Sequence, residues 1–330
     1  MVTPARIISP AKPKLLDQVR GELRKRHYSL RTEEAYIGWI RSFICHHGIR
    51  HPREMGKEEV EEFLSHLAVG RKVAAATQNQ ALSALLFLYR DVLGITLEWL
   101  DNVVRAKRPA RLPVILTREE VMAIISKLHG QNWIAVMLMY GAGLRLLECL
   151  QLRIKDIDFE YRRIVVREGK GNKDRITILP KAVEDRLTLH LEEVKIRHEK
   201  DLRGRAGYVM LPGGLERKYP DANRQWIWQW VFPAMRHFQD PASGRLFRHH
   251  LHETVLQKAV KEAASRAGLA KRITCHTFRH SFATHLLEEE YDIRTIQELS
   301  GHRDVTTTMI YTHVLNRGGK CVPSPLDFPM

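Results

Sequence analysis

Apolar side chains first fall into a helical rhythm at Tyr36, Trp39, Ile40, Phe43 and Ile44, the i, i+3, i+4, i+7, i+8 spacing of one face of an amphipathic helix. Val60, Phe63, Leu64 and Leu67 repeat it. A third helix is predicted from Thr77, where TQNQ has the form of a capping box, through Leu85, Leu88 and Tyr89 to Gly94. Residues 13–100 therefore read as a small helical domain behind a short proline-containing N-terminus, 1–12. The stretch DNVVRAKRPARLP, from residue 101, has two prolines, a run of cations and no helical period, which predicts a linker over 101–116. TREE at Thr117 is a second capping box and opens a second domain, 117–330. Within it RRIVVREGKGNKDRITIL, Arg162 to Leu179, alternates β-favouring runs around a Gly-Asn turn, a β-hairpin pattern. From Glu253 the helical pattern resumes, so the fold class expected is mainly α with a small β-sheet (α+β).

Composition narrows the partners. The 330 residues, 44% of them hydrophobic, suffice for two domains with separate cores. Lys+Arg 53 against Asp+Glu 38 gives a net charge of +15, the balance of a protein that attracts a polyanion. Residues 1–113 hold 19 Lys/Arg and 12 Asp/Glu, so the N-terminal third is the more densely basic, with Arg20, Arg24, Lys25, Arg26, Arg71 and Lys72 on the polar helix faces. Nucleic acid is the favoured partner. No run approaches the roughly 20 apolar residues of a membrane helix, and the N-terminus lacks the apolar stretch of a secretory signal, so no membrane partner and a cytoplasmic location are expected. Cys45, Cys149, Cys275 and Cys321 are far apart, which fits reduced thiols and argues against a structural zinc. His252-Glu253 begins an HExxH, but Leu256 stands where the second histidine belongs. The metalloprotease reading fails there, and no metal is expected.

Four segments of the second domain carry candidate chemistry: GLRLLE with Arg145, GKGNKD with Lys170, HTFRHSFATHLL with His276 and Arg279, and LSGHRDVTTTMIYTHV with His302 and Tyr311. Each has an ordinary reading alone. Arg145 can pair with Glu148 three residues on, Lys170 can be a turn lysine, and His276 and Arg279 share a helix face as many structural pairs do. Together they make a set. Two arginines can hold the non-bridging oxygens of a phosphodiester by charge-assisted bonds and stabilise a five-coordinate transition state. A tyrosine, with a usual pKa of about 10, becomes a nucleophile if that field favours phenolate and a histidine takes its proton. A lysine can protonate the leaving 5′ oxygen.

The order Arg, Lys, His-x-x-Arg, His, Tyr resembles the tyrosine recombinase family, and its motifs run in order across residues 140–314. The helical domain is similar to that family's core-binding (SAM-like) domain by placement and pattern. The resemblance implies a two-domain, C-shaped DNA clamp and a 3′-phosphotyrosyl intermediate with a free 5′ hydroxyl. It also implies a homotetramer on DNA in which the C-terminal segment is exchanged between protomers, and no cofactor. It assigns catalysis to Arg145, Lys170, His276, Arg279, His302 and Tyr311, with Tyr311 as nucleophile. Glu148 and His280 stand behind them as supports, and Lys173 remains a rival to Lys170.

A narrower likeness lies in residues 219–252 and the tail, 315–330. The insertion-like segment from YPDANRQWIWQWVFPAMRHF to RHHLHETVLQKAV places Trp226, Trp228 and Trp230 at alternate positions before His249-His250, with arginines between. Aromatics interleaved with cations can stack unpaired bases; the alternative is that they fill a core. This segment and the ending THVLNRGGKCVPSPLD resemble those of integron integrases. That subfamily joins a duplex attI site to an attC site folded as a single-stranded hairpin, integrating and excising gene cassettes. The resemblance implies that Trp228, Pro241, His249 and His250 recognise extrahelical bases of attC. Two other readings stay open: a Xer-like or phage-type recombinase acting on duplex DNA only, and a catalytically silent DNA-binding regulator. The silent regulator would be marked by loss of catalytic positions, and all six are present.

Overall fold

The computed structural model describes residues 14–95, 106, 113–167, 174–241, 243–301, 304, 308 and 309. Lys170, Lys173, His302 and Tyr311 lie outside the described residues, as do the N-terminus, most of the linker and the tail. The chain divides into two compact units, with the break between Arg111 and Leu112.

The first unit is helical: α1 (Leu15–Lys25), α2 (Leu30–His46), α3 (Lys57–Ser65) and α4 (Ala75–Phe87), the last two each continuing as one π turn. Its core joins Val19 and Leu23 of α1, Ile37, Ile40 and Phe43 of α2, Val60 and Phe63 of α3, and Leu82 and Leu85 of α4. The buried face of α2 is turned from the one its spacing predicts. Tyr36, Trp39 and Ile44 flank the core, while Ile37 and the carboxylate of Glu33 lie inside, Glu33 gripped by Arg24 at 2.9 and 3.0 Å. The TQNQ segment does not cap α4, which begins at Ala75. Its polar side chains are spent across the unit instead: Gln78 donates to the Leu64 carbonyl (3.1 Å), Asn79 exchanges two bonds with Ala106, and Gln80 accepts from the Trp39 indole (3.2 Å). Several of the basic residues are likewise paired, Arg20 with Asp17, Lys25 with Glu22, and Arg26 with Glu22 and Asp91.

In the second unit Thr117 does cap α5 (Arg118–Ile125), its hydroxyl accepting from Glu120 N–H while the Glu120 carboxylate accepts from Thr117 N–H. α6 (Gly130–Gly141) and α7 (Leu146–Leu150) follow. Then comes the antiparallel sheet β1 (Ile157–Asp158), β2 (Arg163–Val166) and β3 (Arg175–Ile178), with Arg163 opposite Ile178 and Val166 opposite Arg175. α8 (Glu184–Arg203) and the short α9 (Leu215–Lys218) lead to a hairpin of β4 (Pro233–Gln239) and β5 (Leu246–His250), and α10 (Glu253–Arg266), α11 (Cys275–Glu288) and α12 (Ile293–Ser300) complete the unit. α6 and α11 pack together at its centre. Tyr140 of α6 bonds His285 of α11 (2.8 Å), whose other ring nitrogen meets the Leu116 carbonyl (3.0 Å). The 219–252 segment docks on this core through Val231 and Phe232, with Val231 N–H donating to the Leu152 carbonyl (2.8 Å). Among the described residues no helix is long and apolar enough to cross a membrane.

Candidate active site

Three arginines from three elements converge on one carboxylate. The turn after α6 passes through Gly143 at φ +64, where a Cβ would lie 2.5 Å from the Phe282 ring, so only glycine lets the chain lie this close to α11. Arg145 follows as the N-cap of α7, its N–H donating to Glu148 Oε2 (2.9 Å) and its Nη1 to Glu148 Oε1 (2.5 Å). Arg175 on β3 grips the same carboxylate with both Nη atoms, at 2.9 and 2.7 Å. Arg279, on α11, brings Nη1 to 4.0 Å from Glu148 Oε2. Burial by itself would raise the Glu148 carboxyl; the Arg175 bonds and charge, then the Arg145 N–H and charge, overcome it and hold the group at about 2.

The same arginines terminate α12. Arg175 Nε donates to the Leu299 carbonyl (3.0 Å), Arg279 Nη2 to that of Ser300, and Arg145 Nη2 to that of Gly301 (2.8 Å). These are carbonyls a helix end leaves unsatisfied, at the negative end of its dipole. Gly301 closes the helix at φ +61, and a Cβ there would meet Arg175 Cδ at 2.8 Å. Arg279 also donates to the Gly143 carbonyl and is buried, whereas the Arg145 side chain, one-fifth exposed, is the most open of the three to solvent.

His276 and His280 stand one turn apart on α11, ring centroids 6.4 Å apart. His276 is exposed by area, yet the protein crowding it costs hydration. That loss, then the charges of Arg279 and Arg145, push its pKa down against the pull of Glu148. His280, pushed down by burial and then by His276 and Arg279, lies at about 4. Both rings are therefore neutral near pH 7, able to accept a proton. With its one carboxylate engaged by two guanidiniums, this donor set suits an anion rather than a metal ion.

Arg145, Glu148, His276, Arg279 and His280 are thus brought together. Arg175 was not anticipated, and alternation points the other way: in Arg-Ile-Thr-Ile the isoleucines read as the inward face, yet Ile176 and Ile178 are exposed, Thr177 is fully buried, and Arg175 turns to the same side because Glu148 takes its charge.

The four residues assigned to base recognition are placed differently from one another. Trp228 is half buried, with Lys155 Nζ 3.1 Å from its ring centroid. Pro241 is exposed in the turn between β4 and β5, and His249 is exposed on β5. His250 is buried, bonded through Nδ1 to the Leu251 carbonyl (2.8 Å) and packed edge-on against Trp230. Trp230 is itself buried, its indole donating to the Arg248 carbonyl (3.1 Å), and Arg248 is locked on Asp201 at 2.7 and 2.9 Å. The alternating tryptophans are therefore divided between core and surface. Arg153 joins them: its guanidinium lies 3.7 Å from the Trp230 centroid and 5.7 Å from that of Trp228.

Residues 115–317 match the Phage integrase family, and residues 15–99 match the Phage integrase N-terminal SAM-like domain. An integrase/recombinase of Escherichia coli is 52% identical over 315 residues, covering 95% of this chain and 93% of the relative. The tyrosine recombinase XerD of Mycobacterium leprae is 34% identical over 287 residues, 81% of this chain and 80% of that one. Among solved structures, a lambda integrase dimer bound to a COC′ core site is similar with a TM-score of 0.60 at 17% identity, covering 90% of this chain and 93% of that one. XerH site-specific recombinase bound to difH, in a post-cleavage complex, has a TM-score of 0.59 at 24% identity over 91% and 81%. These two likenesses are of fold.

Proposed function

The chain belongs to the phage integrase family of tyrosine recombinases, enzymes that cleave and rejoin DNA, and on that premise we propose that it is an integron integrase, joining a duplex attI site to a folded single-stranded attC hairpin. The observation that supports the chemistry is the cluster of Arg145, Arg175 and Arg279 around Glu148, with neutral His276 beside it. In this reading Arg145 meets a non-bridging oxygen of the scissile phosphate directly. Arg279, which donates to the carbonyls of Gly143 and Ser300, exchanges one of those bonds for the other oxygen. His302 adds a hydrogen bond. Tyr311 Oη attacks phosphorus, its proton passing to His276, and the bond to the 5′ oxygen breaks as Lys170, or its rival Lys173, protonates the leaving alkoxide. The phosphotyrosyl bond keeps the energy of the broken one, and attack by a new 5′ hydroxyl reverses the step. Glu148 and His280 act by positioning: Glu148 aligns Arg145 and Arg175, and His280 stays uncharged behind His276.

Trp228, His249 and Pro241 offer surface for extrahelical bases, with His250 supporting His249 from beneath. A base that stacks on the Trp228 face now covered by Lys155 displaces that ammonium, which then stands free to meet a phosphate. The protein assembles as a tetramer on DNA by exchanging its C-terminal segment. A second reading, a recombinase restricted to duplex DNA, is favoured by the burial of His250 and Trp230 and by the covered Trp228 face.

One assay separates them. Protein is incubated without metal with a nicked, folded attC hairpin or with duplex DNA of the same sequence, and the covalent protein–DNA band is measured. The proposal expects a hairpin band that Tyr311→Phe abolishes, and little from the duplex. Equal trapping of both substrates selects the duplex reading, and tight hairpin binding without any band identifies a silent DNA-binding descendant.

A further inference from the structure

The N-terminal unit holds a side-chain cluster that strand cleavage does not use. α2 ends at His46, His47 caps it, and α3 brings Glu62 to the same point: each of the three places a ligand-type atom within 4.8 Å of the others. His46 Nε2 lies 3.5 Å from Glu62 Oε1. Two donors held by one tetrahedral zinc, each at about 2.0–2.1 Å, sit roughly 3.3 Å apart, so this pair already has the separation that a shared cation requires. His46 Nε2 is also shielded from solvent and makes no hydrogen bond, an unfavourable state for a ring nitrogen that a bound cation would relieve.

The surroundings orient the other donors. His47 Nε2 lies 3.0 Å from the Glu59 carbonyl; a proton donated there leaves the lone pair on Nδ1. A carbonyl holding one ring nitrogen while the other ligates is the usual outer support of a metal-binding histidine. The Glu59 carboxylate does not compete, since it accepts from Gly56 N–H (2.7 Å) and pairs with Arg50 (3.2 Å). The His46 ring is wedged between His66 and Phe63, at centroid distances of 4.5 and 5.5 Å, which limits its rotation.

We infer that His46, His47 and Glu62 form a site for a divalent transition metal of the zinc class, with water in the remaining position. Two imidazoles and one carboxylate suit zinc and disfavour magnesium and calcium, which prefer oxygen shells. The site clips the C-terminal end of α2 to α3, the two helices whose Phe43 and Phe63 rings meet at 5.5 Å in the core. Its role is to tighten this unit, and it is independent of the chemistry around Arg145.

The test uses untagged full-length protein freed of metal by chelation and titrated with zinc chloride by calorimetry, then with cobalt(II) by visible absorption. One saturable zinc per chain is expected, with a rise in Tm and the absorption bands of a four-coordinate cobalt site. Affinity falls at least ~10-fold in His46→Gln and in Glu62→Gln, and the Tm rise disappears with it. The Glu62 side chain is 67% exposed, so Glu62→Gln folds as the parent does and separates a lost ligand from a lost fold. Absence of saturable binding in the parent overturns the site, as does zinc binding of unchanged affinity in Glu62→Gln.

Discussion

Replacing Glu148 by glutamine keeps the shape of the side chain and removes the negative charge on which Arg145 and Arg175 close. The magnitude follows from the carboxyl group itself. Its pKa falls from an ordinary 4.5 to about 2 on folding, and at about 1.4 kcal/mol per unit this corresponds to about 3 kcal/mol of stability at neutral pH. Loss of one partner from a buried ion pair costs a similar 3–5 kcal/mol or so, since the guanidiniums are left facing one another. Because the folded pKa is depressed, the contribution is complete above about pH 4.5 and is lost as pH falls toward 2. Glu148→Gln should therefore unfold at lower urea at pH 7, and the gap between variant and parent should shrink steadily below pH 4.5. The assay is urea unfolding across pH followed by tryptophan fluorescence; Trp133, Trp226, Trp228 and Trp230 all lie in the second unit. A variant within about 0.5 kcal/mol of the parent at pH 7, the usual range of a surface change, would refute Glu148 as the hub of the site.

Gly301→Ala places a Cβ 2.8 Å from Arg175 Cδ at φ +61, a left-handed conformation costing a non-glycine residue roughly 1–2 kcal/mol. Both the Tm and single-turnover trapping of the hairpin should fall, and a variant that melts and cleaves like the parent would remove Gly301 from the frame. His280 titrates at about 4 in the fold against 6.5 ordinarily, so the unfolded chain binds a proton that the folded one refuses. Stability from this group is whole above about pH 7 and declines as pH falls to 4. His280→Gln should flatten that stretch of the stability–pH curve, and an unaltered slope would count against its burial as a neutral ring.

How much of this was legible beforehand depends on whether a residue answers to its neighbours in sequence or in space. TREE capped α5 because Thr117 and Glu120 meet within one turn, and the link from Lys271 to Glu120 (2.6 Å) leaves that exchange in place, whereas the side chains of TQNQ were drawn away to Trp39, Leu64 and Ala106. The α2 face shifted because a salt link from Arg24 makes Glu33 buriable, a fact invisible to hydrophobic spacing. Arg145, Glu148, His276 and Arg279 sit in motifs and could be named. Arg175 acts through Glu148 and the Leu299 carbonyl, 27 and 124 positions away, and the alternation of its strand points it outward. In the 219–252 segment alternation promised one surface of tryptophans. Trp230 went inward because its indole finds a carbonyl there and Arg153 stacks upon it. Lys170, His302 and Tyr311, the assigned acid, phosphate donor and nucleophile, rest on motif alone.

Three consecutive carbonyls, those of Leu299, Ser300 and Gly301, are each held by a different one of the three arginines. Arg145 and Arg279, the guanidiniums that would hold a phosphate, and Arg175 beside them are thus also the anchor of the chain at the point that precedes His302 and Tyr311 in sequence. Fraying of the last turn of α12 would take one bond from each of Arg145, Arg175 and Arg279 and leave them to Glu148 and the Gly143 carbonyl, so the site and the helix end form one mechanical joint, and amide exchange at that turn should report how firmly the site is set.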